Sequence, residues 1–241
     1  MADFDLVIRN ARIVDGTGTP WYRGDAGVRD GVIEAVGTLP PGVPCASEID
    51  AGGDVLAPGF IDMHTHNDFL LLGDGAGVSK LRQGVTTILV GQCGISAAPI
   101  RDERVSLLDA YTGFIRAGVT PEWNWRSFAE YLDVLDGLDL GLNVGSFVGH
   151  GTIRLNVLGF ENRLPAPDEL REMREMARAA LEEGAFGMTS GLIYPPGVYS
   201  ASGEVEEIAR GLTERRGLYL SHMRNESSGV VESVRETIAV A

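Results

Sequence analysis

The sequence predicts an α/β protein, in which a small antiparallel β module precedes part of a parallel (β/α)8 barrel, the TIM barrel. Two observations predict this fold class. Residues 1–54 contain short strand-like runs separated by Asp-Gly and Pro/Gly turns, whereas residues 55–241 alternate between strand-like and helix-like segments. Such alternation is typical of parallel strands joined by crossover helices. We therefore expect an incomplete, β-sandwich-like module over 1–54 and about five barrel units over 55–241.

The N-terminal module contains a strand-rich run, a hairpin and one more strand. The run covers 4–14, and the hairpin over 25–37 turns at Asp30-Gly31, a dipeptide that favours tight turns. A Pro/Gly-rich loop at 40–44 precedes a short strand near 47–49. A module of about fifty residues is too small to bury a core alone, so we expect it to pack against another part of the protein.

The remaining chain supplies the barrel. A doubly wound open sheet is the alternative architecture, but it needs a glycine-rich phosphate loop after its first strand, where this chain has His64-Thr65-His66. The clearest helix runs from Pro167 to Glu183, with proline at its start and Gly184 after its end. The five predicted strands are 55–61, 84–94, 142–150, 185–194 and 218–222. The apolar face of the clearest helix consists of Leu170, Met173, Ala177, Ala180 and Leu181.

Composition narrows the possible partners. The net charge of −14, from 20 basic and 34 acidic residues, argues against nucleic acid and anionic membranes, which both require basic patches. No apolar run approaches the ~20 residues that cross a bilayer, and the first five residues are acidic rather than basic-then-apolar, so we expect no signal segment among them. Two cysteines do not form a disulfide framework. We therefore predict a cytoplasmic enzyme with a small-molecule substrate, and no particular oligomeric state.

Metal-binding side chains recur at the predicted strand ends. His64 and His66 stand two residues apart, so on a strand they point to the same face. Cys93, His150 and His222 also fall at or just past strand ends. In a parallel barrel the carboxyl ends of all strands meet at one rim. Imidazole nitrogens and a thiolate on that rim form the ligand set that zinc prefers.

Four segments resemble a known family. Residues 58–66 (PGFIDMHTH) resemble the first metal-binding motif of the amidohydrolase superfamily. Residues 84–94, 186–197 and 221–226 resemble its N-acyl-D-amino-acid deacylase branch, the D-aminoacylases. The opening strand, 4–16, resembles that superfamily's N-terminal module. The chain is thus identified as a member of this branch over essentially its whole length.

The resemblance implies zinc-dependent hydrolysis of an N-acyl-D-amino acid to a carboxylate and a D-amino acid. Cys93 and His222 would be two of three ligands of a tight zinc site, and His64 and His66 would belong to a second, weaker site. Zinc lowers the pKa of a bound water towards ~7 and polarises the amide carbonyl. Related hydrolases bridge two metals with a carboxylated lysine at the fourth strand end. The only lysine here, Lys80, precedes the second strand, so Cys93 would supply the bridging charge.

The resemblance also implies missing parts. The family's third tight-site histidine and its catalytic aspartate lie at the sixth and eighth strand ends, beyond Ala241. No catalytic residue is therefore expected within this chain, which we expect to be an N-terminal fragment with little or no deacylase activity.

For several further residues, two interpretations of their role stay open. Ser190 and Tyr194 would either line the acyl pocket or serve the structure. Arg224 would bind an anionic substrate group or pair with Glu226. His150 is expected to fix a loop or support a ligand rather than to bind metal.

Two functional alternatives also stay open. One is an amidohydrolase that acts on a dipeptide or a cyclic amide. The other is a non-catalytic, amidohydrolase-like scaffold, which has no reason to retain zinc.

Overall fold

The computed structural model describes residues 3–73, 75 and 77–241. Two units follow one another along the chain, Met1–Gly59 and Phe60–Ala241. None of the helices in the described ranges combines the length and the apolar character that crossing a bilayer requires.

The first unit is a sheet in the order β3-β2-β1-β4, with β5 also paired to β1. The predicted antiparallel module is confirmed in β1, β2 and β3, where Asp30 and Gly31 form the predicted turn. The predicted strand near 47–49 is present as β4, but β4 and the short β5 run parallel to β1 rather than antiparallel. The strands are β1 Phe4–Ile13, β2 Tyr22–Arg29, β3 Val32–Gly37, β4 Cys45–Asp50 and β5 Val55–Leu56.

The second unit contains parallel strands flanked by helices. Its strands pair in the orders β6-β7-β8 and β9-β10-β11, all parallel. Only Phe147 separates β8 from β9, so the two sheets form five successive strand positions and confirm the partial barrel. These strands are β6 Phe60–Asp62, β7 Val85–Val90, β8 Asn143–Ser146, β9 Val148–Gly149, β10 Gly187–Gly191 and β11 Leu218–His222.

Helices connect these strands. The predicted helix at 167–183 is confirmed as α6, which buries Met173, Ala177, Ala180 and Leu181 and leaves only Leu170 of the predicted face partly buried. Its first turn is capped by the Glu169 carboxylate, which accepts a hydrogen bond from Ala166 N at 2.7 Å. The helices are α1 Leu70–Gly73, α2 Val78–Leu81, α3 Val105–Thr112, α4 Phe128–Asp136, α5 His150–Leu158, α6 Pro167–Glu182, α7 Ser202–Arg215 and α8 Val230–Val240.

The prediction of one buried strand over 55–61 is wrong. Proline lacks the N–H that a strand ladder needs, and Pro58-Gly59 divides the run. Residues Val55–Leu56 pair with β1 of the first unit, whereas Phe60–Asp62 pair with β7 of the second. Phe60 and Ile61 are more than half exposed. His64 and His66 therefore follow a three-residue strand rather than a long one.

Candidate metal centre

Cys93 lies in a tight turn at the carboxyl end of β7. The turn runs from Gln92 to Ile95 and is closed by a hydrogen bond from Ile95 N to Gln92 O at 2.9 Å. Its cysteine has a φ of 57°, in the left-handed region that non-glycine residues rarely occupy. The side chain is buried. Burial raises the pKa of the Cys93 thiol above its ordinary value, because the apolar surroundings disfavour the charged form. A positive charge beside the sulfur would have the opposite effect.

His64 and His66 approach this sulfur from the end of β6. Asp62 ends that strand and accepts a hydrogen bond from His64 N at 3.2 Å, while Lys80 Nζ lies 2.6 Å from the same carboxyl group. His64 Nε2 lies 3.2 Å from Cys93 Sγ. One potential ligand atom from each of His64, His66 and Cys93 falls within 4.8 Å of the other two. The structure thus brings together three of the four predicted ligands.

The second imidazole contains an unsatisfied nitrogen. His66 Nδ1 is buried, and none of the described residues is its hydrogen-bond partner. Burial lowers the pKa of His66, with the neighbouring His64 and His222 adding to the effect, so the ring favours its neutral form. A neutral imidazole is the form that binds a metal ion. The donor set and the unsatisfied nitrogen both fit a divalent ion with a preference for nitrogen and sulfur, such as zinc.

The fourth predicted ligand, His222, ends β11 and lines the same cleft of about 540 Å³. Its Nε2 lies 3.2 Å from Glu226 Oε1, and its ring meets the Tyr194 ring edge to face at a centroid distance of 5.5 Å. His222 is therefore at the cleft but paired with a carboxylate. Glu226 also lines the cleft. Sequence reasoning placed Glu226 beside Arg224, not beside this histidine.

Apolar side chains form another part of the cleft wall. Ile95, Phe114 and Met223 lie there together with the histidines and the cysteine. Phe114 is 73% exposed, so its ring is available for contact with an apolar group. Sequence reasoning missed Phe114, because no periodic pattern marks the short segment after α3.

The predicted substrate-binding residues occupy different environments. Tyr194 lines the cleft and donates a hydrogen bond from its hydroxyl to Cys93 O. Ser190 is fully buried, and its hydroxyl bonds with Tyr219 Oη at 2.7 Å and Ser221 Oγ at 2.9 Å. The roles of both residues in substrate binding stay predictions.

Arg224 does not pair with Glu226 as one interpretation had it. Its guanidinium bonds to the Glu236 carboxylate, at 2.8 Å for the shortest contact, and to Val198 O and Ser200 O. The bonds to Glu236 connect Arg224 to α8, the helix that contains Glu236. Binding of an anionic substrate group by Arg224 stays a prediction.

His150 lies apart from this cluster. The predicted strand over 142–150 ends at Gly149, and His150 begins α5. The imidazole is fully buried, and its Nε2 lies 3.0 Å from Glu204 Oε1. The other carboxylate oxygen of Glu204 forms an ion pair with Arg154. Neither Glu204 nor Arg154 was predicted, because only the fold brings α5 and α7 together.

The fold and the cluster define a class of protein. Two imidazoles and a thiol meet at the carboxyl ends of parallel barrel strands, beside a partly apolar cleft, which is the arrangement expected of a metal site in a barrel enzyme. A sequence profile described as the amidohydrolase family matches residues 47–219. The chain belongs to this family.

Individual relatives specify the branch that the chain resembles. It is 36% identical to a D-aminoacylase of Alcaligenes xylosoxydans xylosoxydans, over 98% of this chain and 48% of that protein. A crystal structure of an N-acyl-D-glutamate deacylase from Bordetella bronchiseptica, complexed with zinc and a phosphonate mimic of the tetrahedral intermediate, superimposes with a TM-score of 0.87 at 39% identity, over 98% of this chain and 48% of that one.

A D-aminoacylase structure described by its binuclear metal centre gives a TM-score of 0.89 at 34% identity, covering 98% of this chain and 49% of the other. The chain thus spans about half the length of the relatives it matches.

Proposed function

We propose that this chain forms the metal-binding half of a zinc-dependent hydrolase, which cleaves N-acyl-D-amino acids to a carboxylate and a D-amino acid. One observation carries the proposal: His64, His66 and Cys93 place potential ligand atoms within 4.8 Å of one another at the barrel rim. The solved deacylase at 39% identity contains zinc, which supports the same metal here.

Cys93 and His222 would contribute to a tight zinc site, and His64 and His66, which lie beside Cys93, to a second, weaker one. Zinc bound there would supply a Lewis acid for the amide carbonyl and a lowered pKa for an attacking water. His222 must exchange its contact with Glu226 for the metal. Because this contact is partly exposed to solvent, its loss would cost little.

The chain's other residues would bind and orient the substrate. Phe114, Ile95 and Met223 offer an apolar surface for the acyl chain. Tyr194 faces the cleft beside His222, with its hydroxyl held by Cys93 O. Proton transfer to the leaving amine needs an acid–base group, and we propose that the remaining half of the protein provides it.

The proposal extends to organisation and location. We propose that the N-terminal module is a domain separate from the barrel, and the pairing of Val55–Leu56 with β1 favours a boundary after Gly59 rather than the expected one after residue 54. A cytoplasmic location is part of the same proposal and is supported by the low cysteine content.

Enzyme assays test the proposal. The zinc-loaded chain is compared with a fusion of residues 1–241 to the second half of the Alcaligenes D-aminoacylase, using N-acetyl-D- and N-acetyl-L-amino acids. We expect hydrolysis of the D-series by the fusion only, and its loss in a Cys93→Ala fusion. Preferred cleavage of dipeptides or cyclic amides, or activity that is unaffected by Cys93→Ala, would contradict the proposal.

A further inference from the structure

The turn that carries Cys93 is wedged between neighbouring strands. Gly94 has a φ of 74°, and a Cβ at this position would lie 2.6 Å from Gly191 N of β10. A Cβ on Gly191 would in turn overlap Cys93 O. The backbone of the turn therefore runs closer to β10 than any side chain on either glycine would allow.

The Thr189 hydroxyl of β10 joins Gly91, just before this turn, to Gly94 within it. Thr189 Oγ1 donates a hydrogen bond to Gly91 O at 2.6 Å and accepts one from Gly94 N at 2.9 Å. The turn itself closes with a direct bond, from Ile95 N to Gln92 O at 2.9 Å. The hydroxyl adds a second bridge, which ties the backbone on both sides of Cys93 to β10.

The bridge is closed off from water. Thr189 is fully buried, and so are both of its partners. Buried backbone groups without partners are unfavourable, so loss of the hydroxyl would make Gly94 N and Gly91 O move to find other partners. That movement would shift Cys93, which lies between them with its backbone in a strained, left-handed conformation.

We propose that Thr189 is a positioning residue that fixes the Cys93 thiol for metal binding. The inference rests on the proposed metal site, because it assigns a role towards the cysteine ligand. The Thr189 hydroxyl bonds only to the backbone groups of Gly91 and Gly94 and would not touch metal or substrate. Loss of a residue that orients a metal ligand typically weakens metal binding by about 10–100-fold.

Cadmium titration of the 1–241 chain tests this role, because a thiolate bound to cadmium produces an ultraviolet charge-transfer band. Thr189→Val keeps the shape of the side chain and removes the hydroxyl, so we expect cadmium affinity to fall about 10–100-fold and the band to weaken. Thr189→Ser restores a hydroxyl and should restore both.

Thr152→Val is the matched control. The Thr152 hydroxyl is also buried and also makes two backbone bonds, from Ser96 N at 2.9 Å and to Ser96 O at 3.0 Å, but outside the turn. This variant should lose stability and keep the affinity and the band.

Each outcome of these titrations either supports or overturns the positioning role of Thr189. A wild-type affinity and band in Thr189→Val would overturn it while leaving the metal site intact. A wild-type chain without a thiolate band would overturn the proposed site and this inference together. Thr189→Ala provides a second hydroxyl-free variant if Thr189→Val does not fold. Unfolding of both, judged by circular dichroism with Thr152→Val still folded, would overturn the positioning role in favour of a general structural one.

Discussion

Two histidine–carboxylate pairs at the ends of barrel strands have the same chemistry and opposite surroundings. His150 Nε2 lies 3.0 Å from Glu204, with side-chain exposures of 0% and 2%. His222 Nε2 lies 3.2 Å from Glu226, with exposures of 30% and 59%. The first pair is closed and the second is open to the cleft that contains Cys93.

The closed pair includes a third partner. Arg154 Nη1 lies 2.5 Å from Glu204, and its other terminal nitrogen donates to Arg163 O at 2.6 Å. The network therefore ties α5, α7 and the loop after α5 together. Burial and the ion pair of its partner Glu204 with Arg154 indicate a structural role for His150, although the buried His150 Nδ1 has no hydrogen-bond partner among the described residues. His222 instead has a partly exposed partner, which we propose that it releases when metal binds. Exposure, rather than position at a strand end, separates the two roles.

Removal of the Glu204 carboxylate from the closed pair should lower the free energy of unfolding most. Glu204→Gln leaves the buried Arg154 charge without its counter-ion, and loss of one partner of a buried pair costs about 3–5 kcal/mol. We expect the free energy of unfolding, measured by urea denaturation, to fall by that amount. Glu207→Gln on the same helix is the control, because Glu207 pairs with Arg174 at the surface and should cost less than about 1 kcal/mol. Equal effects of the two changes would contradict a closed network.

Removal of the His150 imidazole from the closed pair should have the second-largest effect on stability. His150→Ala removes a buried hydrogen bond to a charged group, worth about 1.5–3 kcal/mol of stability. Zinc affinity, measured by calorimetric titration of the folded variant, should stay at the wild-type value, because His150 lies outside the ligand cluster. A loss of zinc affinity without a loss of stability would reverse the assignment of the two histidines.

Acidification should weaken the closed network. Burial alone would raise the pKa of Glu204, but the hydrogen bonds and charges of His150 and Arg154 outweigh it and hold the pKa below its ordinary value of 4.5. A lowered pKa contributes stability above the ordinary value and loses it as the pH falls through the folded-state value. The stability gap between wild type and Glu204→Gln should therefore be complete at neutral pH and narrow below about pH 4.5. A gap that widens with acid would contradict this account.

Removal of the His222 imidazole from the open pair should have the smallest effect on stability. His222→Ala changes a partly exposed residue, so we expect the free energy of unfolding to stay within about 0.5 kcal/mol of wild type. Zinc affinity should fall, because this residue is a proposed ligand, and the same calorimetric titration measures it. Unchanged zinc affinity would remove His222 from the ligand set.

The fold could be predicted where the sequence pattern is local. The Asp30-Gly31 turn, the periodic face of α6 and the strand over 218–222 were each visible in a short window. Helix α5 was not, because nearly all its residues are buried and an evenly buried helix lacks an amphipathic pattern. The break at Pro58 was visible in the sequence, but the apolar run around it favoured a single strand.

The site could be predicted only as far as residue type and strand position allow. His64, His66 and Cys93 meet as predicted, because the carboxyl ends of neighbouring parallel strands share an edge. The partners of His150 and Arg224 could not be predicted. Glu204 lies 54 residues after His150, and Arg224 bonds to Glu236 on α8 instead of Glu226. These choices depend on helix packing, which leaves no local sequence pattern.

The central claim is that His64, His66 and Cys93 bind one metal ion through nitrogen and sulfur. X-ray absorption at the zinc edge of the zinc-loaded 1–241 chain tests it most directly. We expect a sulfur atom at about 2.3 Å and nitrogen atoms at about 2.0–2.1 Å, with the sulfur contribution lost in Cys93→Ala. A spectrum with only oxygen and nitrogen neighbours, identical in wild type and Cys93→Ala, would contradict the claim.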